Sequence, residues 1–189
     1  MANMNPLYYE NVFPEQLAKD LEEYLFNAPW YWGYYSHKTM MQKSSPHWSN
    51  IFAGPKSKSQ EYYNCEDELD GVVKSLWEYV KPIFFENDTL VRCYANGVTP
   101  GMDQKLHTDD RYPGAKTCIV YVNKEWVADW GGETIIWDKD KRLITNSYLP
   151  KFRSLIVIDG SCWHGVRPIS TNYCSDMRIT LMFKTRPNE

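Results

Sequence analysis

Two segments in the first half of the chain carry apolar residues at the three-to-four-residue spacing of a helix. The apolar residues of Pro14–Leu25 fall on one face, and Pro14 suits the first turn. In Glu66–Val80 an apolar stripe follows three acidic residues, which complement the positive end of a helix dipole, and Pro82 predicts the end of this helix. The pattern therefore predicts two amphipathic helices.

From residue 89 onwards, apolar positions alternate with polar ones, as they do in strands that bury one face. The predicted strands are Thr89–Tyr94, Gln104–Thr108, Thr117–Asn123, Thr134–Trp137, Ser154–Ile158 and Arg178–Lys184. Pairs of turn-forming residues separate many of them, namely Asn96-Gly97, Pro100-Gly101, Pro113-Gly114, Gly131-Gly132 and Asp159-Gly160.

Helices followed by many short strands predict a mainly β domain with flanking helices. In such a domain the helices pack on one face of a largely antiparallel sheet or barrel. The chain has 189 residues, a length that favours a single domain. We expect a helical support and lid region over residues 1–88 and the β core over residues 89–184.

Composition and charge set limits on location and partners. The apolar runs are far shorter than a membrane span, and Met1 to Asn11 lacks the basic and apolar regions of a secretory signal. The five cysteines form no Cys-x-x-Cys pair, which favours reduced structural thiols and a cytoplasmic protein. The net charge of −3 provides no general attraction for nucleic acid.

The segment between Glu23 and Glu61 contains no acidic residue, but it carries four lysines and many aromatic residues. Aromatic residues among basic ones can bind single-stranded nucleic acid, or they can form a peptide groove. Because the lysines are few and scattered, we favour core packing, or a lid formed by part of Trp30–Lys58.

The strongest candidate chemistry lies in the sequence LHTDD, Leu106–Asp110. In a strand, His107 and Asp109 would project from one face. His164, which follows an apolar strand, is the best-placed third ligand, because the other two histidines lie in the aromatic segment. Two imidazoles and one carboxylate form the ligand set of non-haem Fe(II) oxygenases. His164 could equally be a hydrogen-bonded core histidine, so the residues alone leave the third ligand open.

Arg178 adds a requirement for an anion. It begins a strand and shares a face with Thr180. An arginine that faces a barrel interior is costly without an anion, and its planar fork suits a carboxylate. Tyr121 lies on the strand after the HTDD turn and could donate to the same carboxylate. 2-Oxoglutarate meets this need, because it chelates iron at one end and carries a second carboxylate at the other.

The strand-rich half also resembles a known family, the 2-oxoglutarate/Fe(II) dioxygenases, and in particular their prolyl-4-hydroxylase-like branch. The resemblance covers Thr89 to Lys184, about half of the chain. The segments that carry it, besides the candidate ligands, are RCYANG (Arg92–Gly97), KTCIVYVNKEW (Lys116–Trp126), GGET (Gly131–Thr134) and RITLMF (Arg178–Phe183).

The resemblance implies a double-stranded β-helix, a jelly-roll core, supported by N-terminal helices. It implies Fe(II) bound by His107, Asp109 and His164, with O2 as the oxidant and ascorbate as a reductant that such enzymes can use. It further implies that 2-oxoglutarate is bound by four residues, Arg178, Tyr121, Tyr94 and Thr180.

Some positions depart from the family pattern or extend it. Arg178 follows His164 by 14 residues, a longer gap than is usual in prolyl hydroxylases. Some family members bind the cosubstrate through a lysine, for which Lys184 is the alternative. Arg92 and Trp137 are the candidates for contacts with the substrate.

Four functions compete on this sequence. The leading hypothesis is an Fe(II)- and 2-oxoglutarate-dependent hydroxylase of proline in a peptide or protein. A nucleic-acid demethylase of the same superfamily comes second, and a hydroxylase of a small molecule or free amino acid comes third. A binding module without catalysis is the fourth, although three intact metal ligands argue against it. The sequence predicts no oligomeric state.

Overall fold

The structure is a computed structural model that describes residues 5–34, 46–56 and 61–188. The described residues form two antiparallel sheets and two α-helices. The helices are α1 (Glu15–Asn27) and α2 (Gly71–Phe84). The major sheet has the strand order β1 (Leu7–Tyr9), β9 (Leu155–Asp159), β6 (Lys116–Tyr121), β11 (Arg178–Pro187), β4 (Asp88–Val98), β3 (His47–Ala53) and β2 (Tyr31–Tyr34). The minor sheet has the order β5 (Gln104–His107), β10 (His164–Val166), β7 (Thr134–Trp137) and β8 (Ile144–Tyr148).

The two helices cover one face of the major sheet. Their apolar stripes, such as Leu21 of α1 and Leu76 of α2, pack against the side chains that alternate positions of the central strands direct to this face. The ring of Trp77 in α2 lies 5.2 Å from that of Phe183 in β11. This packing confirms the prediction of a mainly β domain whose helices lie on one face of an antiparallel sheet. Neither of these two helices of the described residues is long and apolar enough to cross a membrane.

The opposite face of the major sheet is turned towards the minor sheet. Because side chains alternate along β11, Ile179 and Leu181 pack on the helical side while Thr180 and Met182 face the space between the sheets. That space holds a smaller apolar cluster and the polar residues of the candidate site.

The second helix departs from its predicted bounds at both ends. Glu66–Glu68 form a separate 3-10 turn, and Glu66 binds Lys81 of α2 at 2.6 Å. The prediction that Pro82 ends the helix is wrong, because Pro82 lies in the last turn of α2, where it removes a single backbone donor. Continuation of the helix brings the next residue, Phe85, into stacking contact with the ring of Trp77, at 5.6 Å.

The turn predicted at Asn96-Gly97 is also wrong, because β4 runs through it. Gly97 pairs with Ile179 on one side and with Trp48 on the other. A Cβ atom at residue 97 would lie 2.5 Å from the sulfur of Met177. Glycine at this position therefore allows the Met177 side chain to approach a central strand closely, which is a common reason for glycine within a sheet.

The N-terminal third contributes strands that the sequence did not predict. β1, β2 and β3 all join the major sheet, so residues 1–88 form part of the sheet as well as its helical support. β2 and β3 fall within the segment Trp30–Lys58, so these parts of the predicted support and lid region belong to the major sheet. Residues 35–45 and 57–60 lie outside the described residues, as does any lid that they form.

Candidate metal and cosubstrate site

Two histidines meet where two strands of the minor sheet pair. His107 ends β5, His164 begins β10, and the two residues are direct partners in the ladder. β5 ends one residue earlier than predicted, and the backbone N–H groups of Asp109 and Asp110 both donate to the carbonyl of Gly160 at 2.9 Å. This turn brings the Asp109 carboxylate to both imidazoles. Ligand atoms of His107, Asp109 and His164 all lie within 4.8 Å of one another.

Both imidazoles are held so that the same nitrogen faces the carboxylate. The Nδ1 atom of His107 lies 2.7 Å from the carbonyl of Lys105, and that of His164 lies 3.0 Å from the carbonyl of Cys162. A carbonyl only accepts, so each Nδ1 carries the proton and each Nε2 keeps a lone pair. The Nε2 atoms lie 3.7 Å and 3.5 Å from the Asp109 oxygens. Burial, and then the neighbouring His164, lower the pKa of His107 to about 3, which keeps this ring neutral.

Asp109 is itself held by two buried side chains. Lys184 of β11 donates to its Oδ1 at 2.7 Å, and the hydroxyl of Thr117 in β6 donates to its Oδ2 at 2.9 Å. Burial alone would raise the pKa of Asp109, but Lys184 and the two imidazoles lower it well below its usual range. Lys184 therefore binds the central carboxylate and does not lie beside Arg178. The role of Thr117 was not predicted.

Arg178 lies at the other end of the inward face of β11, six residues from Lys184. Its Nη2 donates to the hydroxyl oxygen of Thr134 at 2.8 Å, and the hydroxyl of Tyr121 donates to the same oxygen at 2.8 Å. The Nε atom of Arg178 is buried without a hydrogen-bond partner among the described residues. Burial raises the pKa of Tyr121 to about 12, so its hydroxyl keeps its proton. Thr134 belongs to the GGET segment and was not predicted as a site residue.

A narrow cavity lies between the two sheets and joins these groups. Six predicted site residues line it, namely His107, Asp109, His164, Arg178, Tyr94 and Thr180. The other residues that line it are Tyr34, Asn96, Gln104, Ile119, Thr134, Val166 and Met182. Tyr34 belongs to β2, so the aromatic segment reaches the site through a strand.

The two candidate substrate residues differ in position. Arg92 is fully buried, and its guanidinium carbon lies 4.9 Å from the ring centre of Tyr94 and 5.6 Å from that of Tyr34. Its three guanidinium nitrogens have no hydrogen-bond partner among the described residues. Trp137 does not line the cavity but borders a separate hollow with Trp163 and other residues. Arg92 therefore adjoins the cavity, and Trp137 lies apart from it.

Comparison with known proteins gives the following similarities. Residues 89–183 match the family described as the 2OG-Fe(II) oxygenase superfamily. Among solved structures, a 2OG-Fe(II) oxygenase family oxidoreductase from Burkholderia pseudomallei has a TM-score of 0.71 and 13% identity, over 97% of this chain and 86% of the other. A Pseudomonas putida prolyl-4-hydroxylase has a TM-score of 0.64 and 16% identity, over 97% and 93% of the two chains.

A third similar structure is a Trichoplax adhaerens prolyl hydroxylase in complex with a peptide fragment of the hypoxia inducible factor oxygen degradation domain. Its TM-score is 0.60 at 16% identity, over 95% of this chain and 82% of the other. No curated protein sequence matches the chain. At such low identity the structural similarities concern the fold, and they confirm the predicted jelly-roll core.

Proposed function

Because this chain belongs to the 2OG-Fe(II) oxygenase superfamily, whose members are dioxygenases, we propose that it hydroxylates a proline residue of a peptide or protein. The observation that carries the proposal is the convergence of His107, Asp109 and His164 at one end of a cavity that contains Arg178 at the other. A metal site and a buried cation in one cavity suit a cosubstrate with two carboxylates.

The three candidate ligands fit ferrous iron in number, chemistry and protonation. Each imidazole presents an Nε2 lone pair because its Nδ1 proton is used on a backbone carbonyl. Asp109 is ionised, and its two oxygens have one donor each, which leaves lone pairs for a cation. Two neutral nitrogens and one carboxylate on one side of an ion leave coordination positions for a cosubstrate and a further ligand.

Arg178, Thr134 and Tyr121 fit the distal carboxylate of 2-oxoglutarate. The unpartnered Nε of Arg178 supplies a charged donor. The Thr134 oxygen accepts from both Arg178 and Tyr121, so its own proton is free to donate to a ligand. Bound together, iron and 2-oxoglutarate supply the oxidising chemistry, in which O2 converts 2-oxoglutarate to succinate and CO2 and one oxygen atom enters a C–H bond of the substrate.

The protein's own residues then have three tasks. His107, Asp109 and His164 fix the position of the metal, and Lys184 and Thr117 fix the orientation of Asp109. Arg178 and its two partners orient the cosubstrate. The apolar side chains around them, such as Ile119 and Met182, keep water away from the reacting groups.

Several observations support a proline-containing substrate. The structural similarity includes two prolyl hydroxylases, one of them in complex with a peptide. The aromatic residues Tyr34 and Tyr94 at the cavity suit the flat apolar face of a proline ring. The net charge of −3 disfavours the phosphate contacts that a nucleic-acid demethylase needs. We also infer a reducing compartment such as the cytoplasm, since all five cysteines are free and buried.

The experiment is succinate release from 2-oxoglutarate with Fe(II) and ascorbate, with and without a library of proline-containing peptides. We expect peptide-dependent succinate and a peptide mass gain of about 16 Da, the mass of one added oxygen. A methylated oligonucleotide is tested in parallel. Demethylation of this oligonucleotide without any hydroxylated peptide would favour a nucleic-acid demethylase instead.

A matched pair of variants tests the metal site. Asp109→Asn should abolish stoichiometric binding of Mn(II), measured by electron paramagnetic resonance, and succinate release. Asp110→Asn, at the adjacent carboxylate that binds Arg186, should retain both. Undiminished Mn(II) binding by Asp109→Asn, with the fold intact, would exclude Asp109 as a ligand.

A further inference from the structure

Arg92 is a buried cation without a counter-ion among the described residues. It lies in β4, is fully buried, and has no carboxylate within ion-pair distance in the described part of the chain. The ring faces of Tyr94 and Tyr34 stabilise a cation, but they do not neutralise it. A buried guanidinium without an anion is costly, which suggests that a ligand completes its environment.

Outside the described residues, the sequence contains a single side-chain carboxylate. Between Glu23 and Glu61 the sequence has no acidic residue, so residues 35–45 and 57–60 carry no carboxylate. Residues 1–4 carry none either, which leaves Glu189. It follows Asn188, whose N–H donates to the carbonyl of Asn87, five residues before Arg92 in the chain. Five residues of strand span about 16 Å.

Iron and 2-oxoglutarate would not correct this imbalance of charge. Around the cavity, the protein buries three cations, Arg92, Arg178 and Lys184, against the single carboxylate Asp109. The two negative charges of 2-oxoglutarate equal the two positive charges of ferrous iron. The loaded site therefore keeps a surplus of positive charge. Lys184 is paired with Asp109 and Arg178 faces the cosubstrate carboxylate, so Arg92 is left without an anion.

Arg92 also lies where a substrate would approach the metal. It is the ladder partner of Lys184, whose Nζ binds Asp109. The ring of Tyr94 lies between the two cations, 4.9 Å from the guanidinium carbon and 5.4 Å from Nζ. Tyr94 and Tyr34 both line the cavity. An anion bound at Arg92 would thus lie beside the metal ligands and at the opposite end of β11 from Arg178.

We propose that Arg92 binds a carboxylate of the substrate, so that the enzyme hydroxylates an anionic substrate in preference to a neutral one. This inference rests on the proposed function and narrows its substrate class. The carboxylate comes either from an acidic residue next to the hydroxylated proline or from the free C-terminus of the substrate. Tyr34, which covers Arg92 at the edge of the major sheet, moves aside to admit it.

The test uses two pairs of probes that differ only in charge. The first pair is a capped tetrapeptide with Asp or Asn after proline, and the second is N-acetyl-L-proline or its amide. Binding to the protein loaded with Mn(II) and 2-oxoglutarate is measured without O2 by calorimetry. In at least one pair we expect the carboxylate probe to bind about tenfold more tightly than its neutral partner. The pair that discriminates identifies the source of the carboxylate.

Substitutions assign the preference to Arg92. Arg92→Met should reduce the ratio of affinities to about one, and Arg92→Lys should keep part of it because the charge remains. Arg111→Met, at an exposed arginine near the metal ligands, is the matched control and should leave the ratio unchanged. An equal loss in Arg111→Met would contradict the assignment to Arg92.

The wild-type protein alone can overturn the inference. If neither pair is discriminated by affinity, Arg92 does not bind a substrate carboxylate, even if proline hydroxylation is found. If the preference depends on Arg92 but no probe is hydroxylated, the carboxylate site stands and the proposed reaction is wrong.

Discussion

At the scale of single residues, Arg178 determines how tightly the cosubstrate binds. Its replacement by alanine removes a charge-assisted hydrogen bond to the distal carboxylate, worth about 1.5–3 kcal/mol. Arg178→Ala should therefore raise the apparent requirement for 2-oxoglutarate about 10- to 100-fold and leave the affinity for Mn(II) nearly unchanged. Tyr121→Phe should have a smaller effect of the same kind, because Tyr121 acts through Thr134.

The measurement is succinate release as a function of 2-oxoglutarate concentration, with the affinity for Mn(II) measured separately. Arg167→Ala is the control, since Arg167 is exposed, directly follows β10 and borders another hollow. Equal 2-oxoglutarate requirements in Arg178→Ala and the wild type would remove Arg178 from this role.

Lys184 also acts at the scale of single residues, where its ion pair with Asp109 contributes to the stability of the metal-free protein. Its side chain and that of Asp109 are 3% and 2% exposed, and the pair is 2.7 Å apart. Breaking a buried ion pair from one side typically costs about 3–5 kcal/mol, because the other charge stays buried. Lys184→Met should destabilise the metal-free protein by roughly this amount, and metal should restore part of the loss by binding Asp109.

Thermal unfolding with and without Mn(II) checks this expectation. Lys184→Arg, which keeps the charge, should unfold closer to the wild type. A loss of stability of the same size in the presence and absence of metal would show that Lys184 acts only through packing.

At the scale of secondary-structure elements, β2 and β3 should differ in their local stability. β3 pairs with β2 on one side and with β4 on the other, whereas β2 is an edge strand. Amides of β3 should therefore exchange with solvent much more slowly than those of β2, because only global or large-scale opening exposes them.

Hydrogen exchange followed by mass spectrometry compares the two strands, with and without metal and cosubstrate. Equally fast exchange in both would mean that the N-terminal part of the sheet opens as a unit. The predicted lid is compatible with slow exchange in β3, because most of the residues between the two strands lie outside the described part of the chain.

The elements also show how far the sequence predicts the fold. Thr134–Trp137 was predicted with its bounds, and the other five predicted strands exist with shifted ends. The two helices were recognised from their apolar stripes. Among the strands of the N-terminal third, β2 was missed because aromatic residues occupy both of its faces, where Tyr31 and Trp32 are exposed. Edge strands of this kind have no two-residue period to recognise.

The candidate site could be predicted where one motif or one strand face defines it. Arg178 and Thr180 share a strand face, so periodicity places them together. His107 and Asp109 are only two residues apart, and the turn after β5 brings them together. Thr134 was missed because its partner Arg178 lies 44 residues away in another sheet, and only the folded chain joins them.

At the scale of the whole molecule, the thiols should be unreactive in the native protein. All five cysteines are free and buried. Burial raises the pKa of Cys65 to about 12 and that of Cys162 to about 11, and it raises those of the other three as well. Since the thiolate is the reactive form, little of it exists at pH 8.

Titration with a chromogenic disulfide reagent at pH 8 should thus detect almost no rapidly reacting thiol in the native protein and five after denaturation. Rapid reaction of even one thiol in the native state would reveal local opening around it. The first candidate is Cys174, which packs in a small apolar cluster outside the main core.

The pairing of β1 with β9 determines when the major sheet can form during synthesis of the chain. Leu7 lies opposite Val157, so the first strand finds its partner only after 150 further residues have been made. β11, at the centre of the major sheet, is the last strand of the chain. Such long-range pairing makes folding slow and leaves strand edges open to aggregation in the meantime. A nascent chain thus carries all three candidate metal ligands before it has the sheet that orients them, and metal supplied too early would meet an unfolded chain.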